Sequence, residues 1–227
     1  MLKILVLIFV SITSFAQTHN ADSILNEVKQ KFETVKDYTV ELNIEVDMEF
    51  LRIPNTTAKA YFKQPDKMKI ESNDFAVLPK EGMNFSPAKL LNNKYSAIYV
   101  KSDVFNNTNV DVIKVIPLED SVGIILSTFW IDSKEKIIRK IETTTKDRGT
   151  FQIELFYENM KKYGLPNKME FTFSVNKAKL PQQLNNTGLF KKPAEKLSKN
   201  FKGKIVIKYS NYKINQNLKD SFFKKEK

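Results

Sequence analysis

The chain has 227 residues and a net charge of +11, with 37 Lys and Arg against 26 Asp and Glu. It has no cysteine, which excludes disulfides and acylation of the chain itself. Its one histidine, His19, cannot form a zinc cluster, and no internal histidine can activate a serine nucleophile. Glycine loops for phosphates or dinucleotides are missing too. Carboxylate pairs for glycoside cleavage remain, but nearly all carboxylates fall on polar strand faces. We therefore predict no enzyme activity, no cofactor and no metal.

The N-terminus has the features of a cleavable signal peptide. Lys3 precedes seven consecutive apolar residues, and Ser14 and Ala16 are small residues three and one before a cleavage site. The stretch is shorter than the roughly 20 residues that a membrane-spanning helix needs. We predict that residues 1–16 are removed and that residues 17–227 form a single exported domain. Loss of Lys3 lowers the net charge from +11 to +10.

The basic surplus favours an anionic partner. Export argues against nucleic acid, so anionic lipid headgroups or an acidic protein surface fit better. The alternative is a well-solvated basic surface without a dedicated partner, because net charge also serves solubility.

The first element after the leader is a predicted amphipathic helix, which begins at Asp22 as its N-cap and runs to about Lys36. Its apolar residues recur at helical spacing and share one face. They are Ile24, Leu25, Val28, Phe32 and Val35. Such a helix is expected to cover an apolar surface.

The clearest pattern follows directly, where apolar and polar residues alternate over residues 38–50. The apolar members are Tyr38, Val40, Leu42, Ile44, Val46, Met48 and Phe50. Period two predicts a strand with one dry and one wet face, which is typical of antiparallel sheets. Its length exceeds the usual strand of about five or six residues and suits a strongly coiled sheet or barrel.

Further strands follow at short intervals, separated by turn signals such as Gln64-Pro65-Asp66. We predict them at residues 57–62, 68–72, 75–78, 95–101, 110–117, 122–132, 137–145, 151–157, 169–175 and 203–211. A helical turn is predicted at 87–91, and residues 176–200 are predicted to form a long lysine-rich loop. The chain is therefore mainly β with few helices.

The concave face of such a sheet must be covered. One helix of about 20 Å is short for ten strands. Either the sheet closes on itself and fills its core, or part of the face stays open to a ligand such as an acyl chain. Apolar area alone can hold an acyl chain, at about 0.8 kcal/mol per buried CH₂.

The order of elements resembles the LolA-type outer-membrane lipoprotein carriers. The resemblance rests on VKDY at residues 35–38 between helix and long strand, and on the strand–turn–strand sequence YFKQPDKMKI at residues 61–70. It also rests on FWID at 129–132 followed by IRKI at 138–141. It covers most of the predicted mature chain.

The resemblance implies a large antiparallel, half-closed β-barrel with the N-terminal helix as a lid over a hydrophobic cavity. It implies a monomeric periplasmic carrier of lipoprotein or other lipid cargo, served by an inner-membrane export complex and an outer-membrane receptor. A lipid- or protein-sensing module of the same fold is the alternative. The residues expected to line the cavity are Ile24, Leu25, Val28, Phe32, Leu42, Ile44, Val46, Met48, Phe62, Met68 and Ile70.

One departure from these carriers concerns the lid. They have an arginine just before the turn proline, which hydrogen-bonds to the lid, whereas this chain has Gln64 there. Gln64 is the candidate lid contact, but its amide lacks the fixed charge and the forked set of donors of an arginine guanidinium group. Residues 75–86 also replace the turn and aromatic strand of the carriers.

Overall fold

A computed structural model describes residues 20–48, 51–52, 54–72, 91–119, 123–146, 149–176 and 200–223. The predicted signal peptide, His19 and the predicted strand at 75–78 lie outside these ranges. So do residues 177–199 and all but the last residue of the predicted turn at 87–91.

Helix α1 spans Ala21–Glu33 and begins two residues earlier than predicted. Asn20 is its N-cap, because the Asn20 side-chain oxygen accepts from the Asp22 and Ser23 backbone N–H groups at 2.9 and 3.3 Å. The prediction of Asp22 as the cap was wrong, and Asp22 instead places its carboxylate in the first turn, where it complements the helix dipole. The helix also ends before Lys36, since the chain must turn there into the first strand.

Eleven strands follow in the described ranges. They are β1 Asp37–Met48, β2 Leu51–Arg52, β3 Thr56–Lys63, β4 Lys67–Glu71, β5 Tyr95–Phe105, β6 Thr108–Pro117, β7 Ile124–Asp132, β8 Ile138–Thr145, β9 Gly149–Phe156, β10 Lys168–Asn176 and β11 Asn200–Ile214. Short 3₁₀ helices lie at Lys161–Tyr163 and Asp220–Phe223. The predicted strands in the described ranges are present, with ends that differ by up to a few residues.

The strands form one antiparallel sheet in the order β4-β3-β1-β11-β10-β9-β8-β7-β6-β5, with β2 paired to β1. The last strand, β11, is inserted beside the first strand, β1, and the two are the third and fourth strands from the β4 edge of the sheet. Within the described ranges β4 and β5 do not pair with each other. The sheet is therefore a half-open barrel, and α1 lies over its concave side, next to β5.

The concave face carries the core. On β1, Val40, Leu42 and Ile44 are buried, whereas Glu41 and Asn43 are exposed. Ile24, Leu25 and Val28 of α1 are buried in the same cluster. The apolar and polar residues of β1 therefore alternate because one face of the strand packs under the helix and the other faces water, as the sequence pattern predicts.

Candidate functional site

A cavity of about 430 Å³ lies between the C-terminal end of α1 and the part of the sheet formed by β1, β3, β4 and β11. We call it the lid cavity. Its apolar lining comes from Phe32, Val35, Val40, Leu42, Ala60, Phe62, Pro65, Met68, Ile70, Leu155, Leu165, Pro166, Met169 and Ile207. A volume of this size is within the range of about 300–1,000 Å³ typical of small-molecule sites.

The exposure of Met68 locates the mouth of the lid cavity beside β4. Met68 lines the cavity, is 37% exposed and lies on β4, an edge strand of the sheet that the described residues form. The charged lining residues are Lys29 and Glu33 of α1, which form an ion pair at 3.8 Å. The described lining therefore has no net formal charge, and its interior suits a neutral, apolar ligand.

Four tyrosines line the lid cavity, namely Tyr38, Tyr157, Tyr209 and Tyr212. Tyr212 donates to the Pro166 carbonyl at 2.9 Å, and Tyr157 donates to the Ile138 carbonyl at 2.8 Å. Tyr209 makes a weaker contact, with its hydroxyl 3.8 Å from the Met169 sulfur. These contacts fix three of the four hydroxyl groups.

Burial raises the pKa of each of these tyrosines. It raises the pKa of Tyr38 to about 12, and the pKa values of Tyr157, Tyr209 and Tyr212 also lie above the ordinary value of 10.0. Desolvation is the largest cause in every case, because a phenolate is poorly solvated away from water. All four hydroxyls are consequently neutral donors at physiological pH.

Gln64 connects the cavity wall to the end of the helix. Its side-chain amide donates to the Val35 carbonyl at 2.8 Å and to the Phe32 carbonyl at 3.2 Å. Its backbone N–H also donates to the Lys36 carbonyl at 2.9 Å. The Phe32 carbonyl also accepts from the Val35 backbone N–H at 3.1 Å, so Gln64 adds a second donor there. At Val35 it meets a carbonyl that lies just beyond the end of the helix.

A second connection comes from the chain after β11. We call residues 215–223 the C-terminal strap. The buried Asp37 carboxylate accepts from the backbone N–H groups of Gln216 and Leu218, at 2.6 and 3.2 Å. Near the other end of the strap, Asp220 pairs with Lys63 and Lys67, each at 2.7 Å.

The strap ends against the outer face of the β3–β4 hairpin. The Phe222 ring lies 4.6 Å from the Tyr61 ring, and the Lys69 ammonium lies 4.2 Å from the Phe222 ring centre. The strap therefore holds the hairpin from outside, while Gln64 holds it from the helix side.

Similarity to known proteins is found at the level of structure. No protein-family model and no curated protein matches the sequence. A LolA superfamily protein from Nitrosomonas europaea superposes with a TM-score of 0.60 at 12% identity, over 92% of this chain and 99% of that one. This chain has a LolA-like fold.

Two further structures have the same LolA-like fold. A domain assigned to outer membrane lipoprotein sorting, from Vibrio parahaemolyticus, superposes with a TM-score of 0.59 at 12% identity, over 89% of this chain and 95% of its own length. A DUF1329 family protein from Desulfovibrio piger superposes with a TM-score of 0.58 at 11% identity, over 90% and 95% of the two chains. At such low identity the likeness establishes the fold alone.

Half of the positions predicted from sequence lie on the lid cavity of this LolA-like fold. These are Phe32, Leu42, Phe62, Gln64, Met68 and Ile70. The helix stripe of Ile24, Leu25 and Val28, together with Ile44, lies instead in the closed core, and Val46 packs against it. Met48 is buried near the far end of β1. The apolar face of β1 thus contributes residues both to the closed core and to the lid cavity. Which of the two a residue lines depends on its distance from the C-terminal end of α1.

Sequence reasoning missed the tyrosines and the residues after β9. Tyr209 belongs to the predicted strand at 203–211 and Tyr212 falls just beyond it, and the two tyrosines lie near Tyr38 because β11 pairs with β1. Gly164, with φ +66°, ends the 3₁₀ helix Lys161–Tyr163 and lies under the Phe32 ring. The glycine itself was the available signal, because glycine is the usual residue where the backbone needs a positive φ.

The convex face carries several ion pairs where it is described. Glu170 forms ion pairs with Lys204 at 2.7 Å and with Lys168 at 3.0 Å, and Lys208 forms one with Glu45 at 2.7 Å. Over the described ranges no group of three or more His, Cys, Asp or Glu could hold a metal ion. Nor does any helix there have the length and apolar character of a membrane span.

Proposed function

We propose that this protein is a periplasmic carrier that binds the acyl chains of lipoproteins, or of another lipophilic cargo, and moves them towards the outer membrane. The observation that carries the proposal is the lid cavity, which has apolar walls and a mouth at the exposed edge strand β4. Binding needs no reacting group, because burial of each CH₂ contributes about 0.8 kcal/mol.

Charge and topology also support a carrier. The charged residues Lys29 and Glu33 neutralise each other, so an entering neutral chain meets no unpaired charge on the described lining. In this proposal the mouth lies between the helix and the β3–β4 hairpin. The contacts of Gln64 join these two elements, rather than continuous strand pairing. Such a junction can open without breaking the sheet.

The predicted signal peptide supports export, and the fold supports a non-enzymatic role. The proposed partners are lipoprotein or lipid cargo, an inner-membrane export complex that loads it and an outer-membrane receptor that accepts it. The protein acts as a monomeric single domain in this proposal.

The experiment measures displacement of a fluorescent acyl probe from the purified protein. Met68→Trp places a larger side chain at the mouth of the lid cavity, and it should weaken binding about tenfold, or ~1.4 kcal/mol. Ile98→Trp is the matched control, because Ile98 is an exposed apolar residue, 51% accessible, on the other edge strand β5. The control should bind like the wild type.

The outcomes are distinct. Probe binding that Met68→Trp weakens and Ile98→Trp leaves unchanged supports a carrier that loads through this mouth. Failure of the wild type to bind any acyl probe, or to retain lipid on extraction, contradicts the proposal. A stable protein partner without bound lipid would favour a sensing module instead.

A further inference from the structure

Tyr38 differs from the other three tyrosines of the lid cavity, because its hydroxyl makes no hydrogen bond to a residue that the structure describes. Tyr157, Tyr209 and Tyr212 each direct the hydroxyl to a carbonyl or a sulfur. Across the described part of the chain, no side chain or backbone group hydrogen-bonds to the Tyr38 hydroxyl. A cavity-lining donor without an acceptor is the type of group that a ligand can complete.

The Tyr38 ring is held in place on two sides. It stacks on Phe62 with ring centroids 5.1 Å apart and an interplanar angle of 26°. The Tyr212 ring meets it edge-on at 5.6 Å and 68°. Because both neighbours are themselves lining residues, the hydroxyl is presented at a fixed position and binding costs little side-chain entropy.

The environment decides which kind of acceptor fits. Burial keeps Tyr38 protonated, with a pKa of about 12, so it is a donor. The described lining offers no cation except Lys29, which is paired with Glu33. A buried carboxylate would therefore lack a counter-charge, whereas a neutral carbonyl would not need one.

We infer that the Tyr38 hydroxyl donates a hydrogen bond to the neutral carbonyl oxygen of an ester or amide that joins the acyl chain to its cargo. The cavity then selects acyl esters and amides over bare hydrocarbons and over free fatty-acid anions. This inference rests on the proposed function, since it names the chemical class that the lid cavity takes.

The experiment compares a long-chain fatty acid methyl ester with an alkane of the same number of heavy atoms, and with the free fatty-acid anion. Affinities are measured by displacement of a fluorescent probe for the wild type and for Tyr38→Phe. Loss of one neutral hydrogen bond should weaken ester binding roughly 2- to 13-fold and leave alkane binding unchanged. Tyr61→Phe is the matched control, since it removes a tyrosine hydroxyl that donates to Glu71 at 2.9 Å and lies outside the lid cavity.

A second measurement does not depend on the variant folding. The carbonyl stretch of the ester bound to wild-type protein should lie at lower wavenumber than in hydrocarbon solvent, as expected for a hydrogen-bonded carbonyl. In Tyr38→Phe it should return towards the solvent value.

The results separate this inference from the proposed function. If the wild type binds ester and alkane but Tyr38→Phe weakens both or neither, or the carbonyl stretch is unshifted, Tyr38 is not the anchor and the carrier proposal stands. Tighter binding of the free anion than of the ester also overturns the inference. Failure to bind any of the three overturns both.

Discussion

The Gln64 amide nitrogen lies 2.8 Å from the carbonyl oxygen of Val35, and this contact joins the wall of the lid cavity to the end of the helix above it. The same nitrogen also reaches the Phe32 carbonyl at 3.2 Å. Phe32 and Gln64 both line the cavity, so the link lies at its boundary. A neutral amide thus occupies the place where the LolA-type carriers have an arginine.

Gln64→Leu should loosen the helix end, because it keeps the size of the side chain and removes its donor. At about 0.5–1.5 kcal/mol for each neutral hydrogen bond, two lost bonds should lower the free energy of unfolding by about 1–3 kcal/mol. Hydrogen exchange of the Val35 amide should accelerate, and a bound acyl probe should dissociate faster.

The control for this prediction is Gln152→Leu. Gln152 is half-buried and donates to Glu154 at 2.6 Å on β9, away from the helix. It should leave exchange at Val35 and probe dissociation unchanged. Equal acceleration in both variants would argue against a specific lid contact.

Gly164→Ala should affect both stability and binding. Gly164 has φ +66°, and an added Cβ would lie 3.1 Å from the Phe32 ring. The left-handed backbone alone costs about 1–2 kcal/mol with a side chain. Displacement of Phe32 should additionally change probe affinity, measured by titration.

Gly123→Ala separates the two effects. Gly123 has φ +62°, and no described atom lies within 4 Å of an added Cβ. It should lose similar stability in denaturant unfolding and keep wild-type affinity. A loss of affinity as large as that of Gly164→Ala would show that contact with Phe32 is irrelevant.

Asp37→Ala should detach the C-terminal strap. The carboxylate is 2% exposed and accepts the Gln216 and Leu218 amides. Hydrogen bonds to a charged group contribute about 1.5–3 kcal/mol each, so the free energy of unfolding should fall by at least that amount. Hydrogen exchange at Gln216 and Leu218 should accelerate. Asp47→Ala, an exposed aspartate on the same strand, should stay within about 0.5 kcal/mol of wild type.

Alkaline pH should destabilise the fold through the cavity tyrosines. Unfolded tyrosine loses its proton near pH 10, whereas folded Tyr38 keeps it until about pH 12. The tyrosine contribution is fully present below pH 10 and is lost as pH rises through the folded pKa. Each such tyrosine adds a slope of about 1.4 kcal/mol per pH unit in this window.

Denaturant unfolding between pH 9 and 12, together with tyrosinate absorbance, checks this expectation. Tyr209→Phe removes one tyrosine whose pKa burial raises, so its stability should fall less steeply above pH 10. If the free energy of unfolding of Tyr209→Phe fell with pH as steeply as that of the wild type, Tyr209 would not be a source of the alkaline destabilisation.

The β pattern and its orientation were predictable because burial is periodic. The alternation of β1 located Val40, Leu42 and Ile44 on the inner face, and the structure confirms that antiparallel, half-open arrangement. The ends of the elements were harder to predict. Asn20 rather than Asp22 caps α1, and the spacing of the apolar residues does not distinguish between two capping residues that lie so close together.

The cavity itself depends on contacts between distant parts of the chain. Tyr38 meets Tyr212 only through the pairing of β1 with β11, which no local pattern specifies. The strap lacks periodicity because it is held by Asp37 and by ion pairs rather than by an apolar face. The resemblance predicted Gln64 as a lid contact, but its two acceptor carbonyls could be identified only from the three-dimensional structure.

Photo-crosslinking with a diazirine-bearing acyl ester tests most directly whether an acyl chain occupies the lid cavity. After irradiation, digestion and mass spectrometry, we expect adducts on opposite walls of the cavity, at residues such as Leu42, Phe62 and Met169. Excess unlabelled ester should suppress them. Adducts confined to exposed residues such as Ile98 and Leu118, or adducts that unlabelled ester does not suppress, would contradict the account.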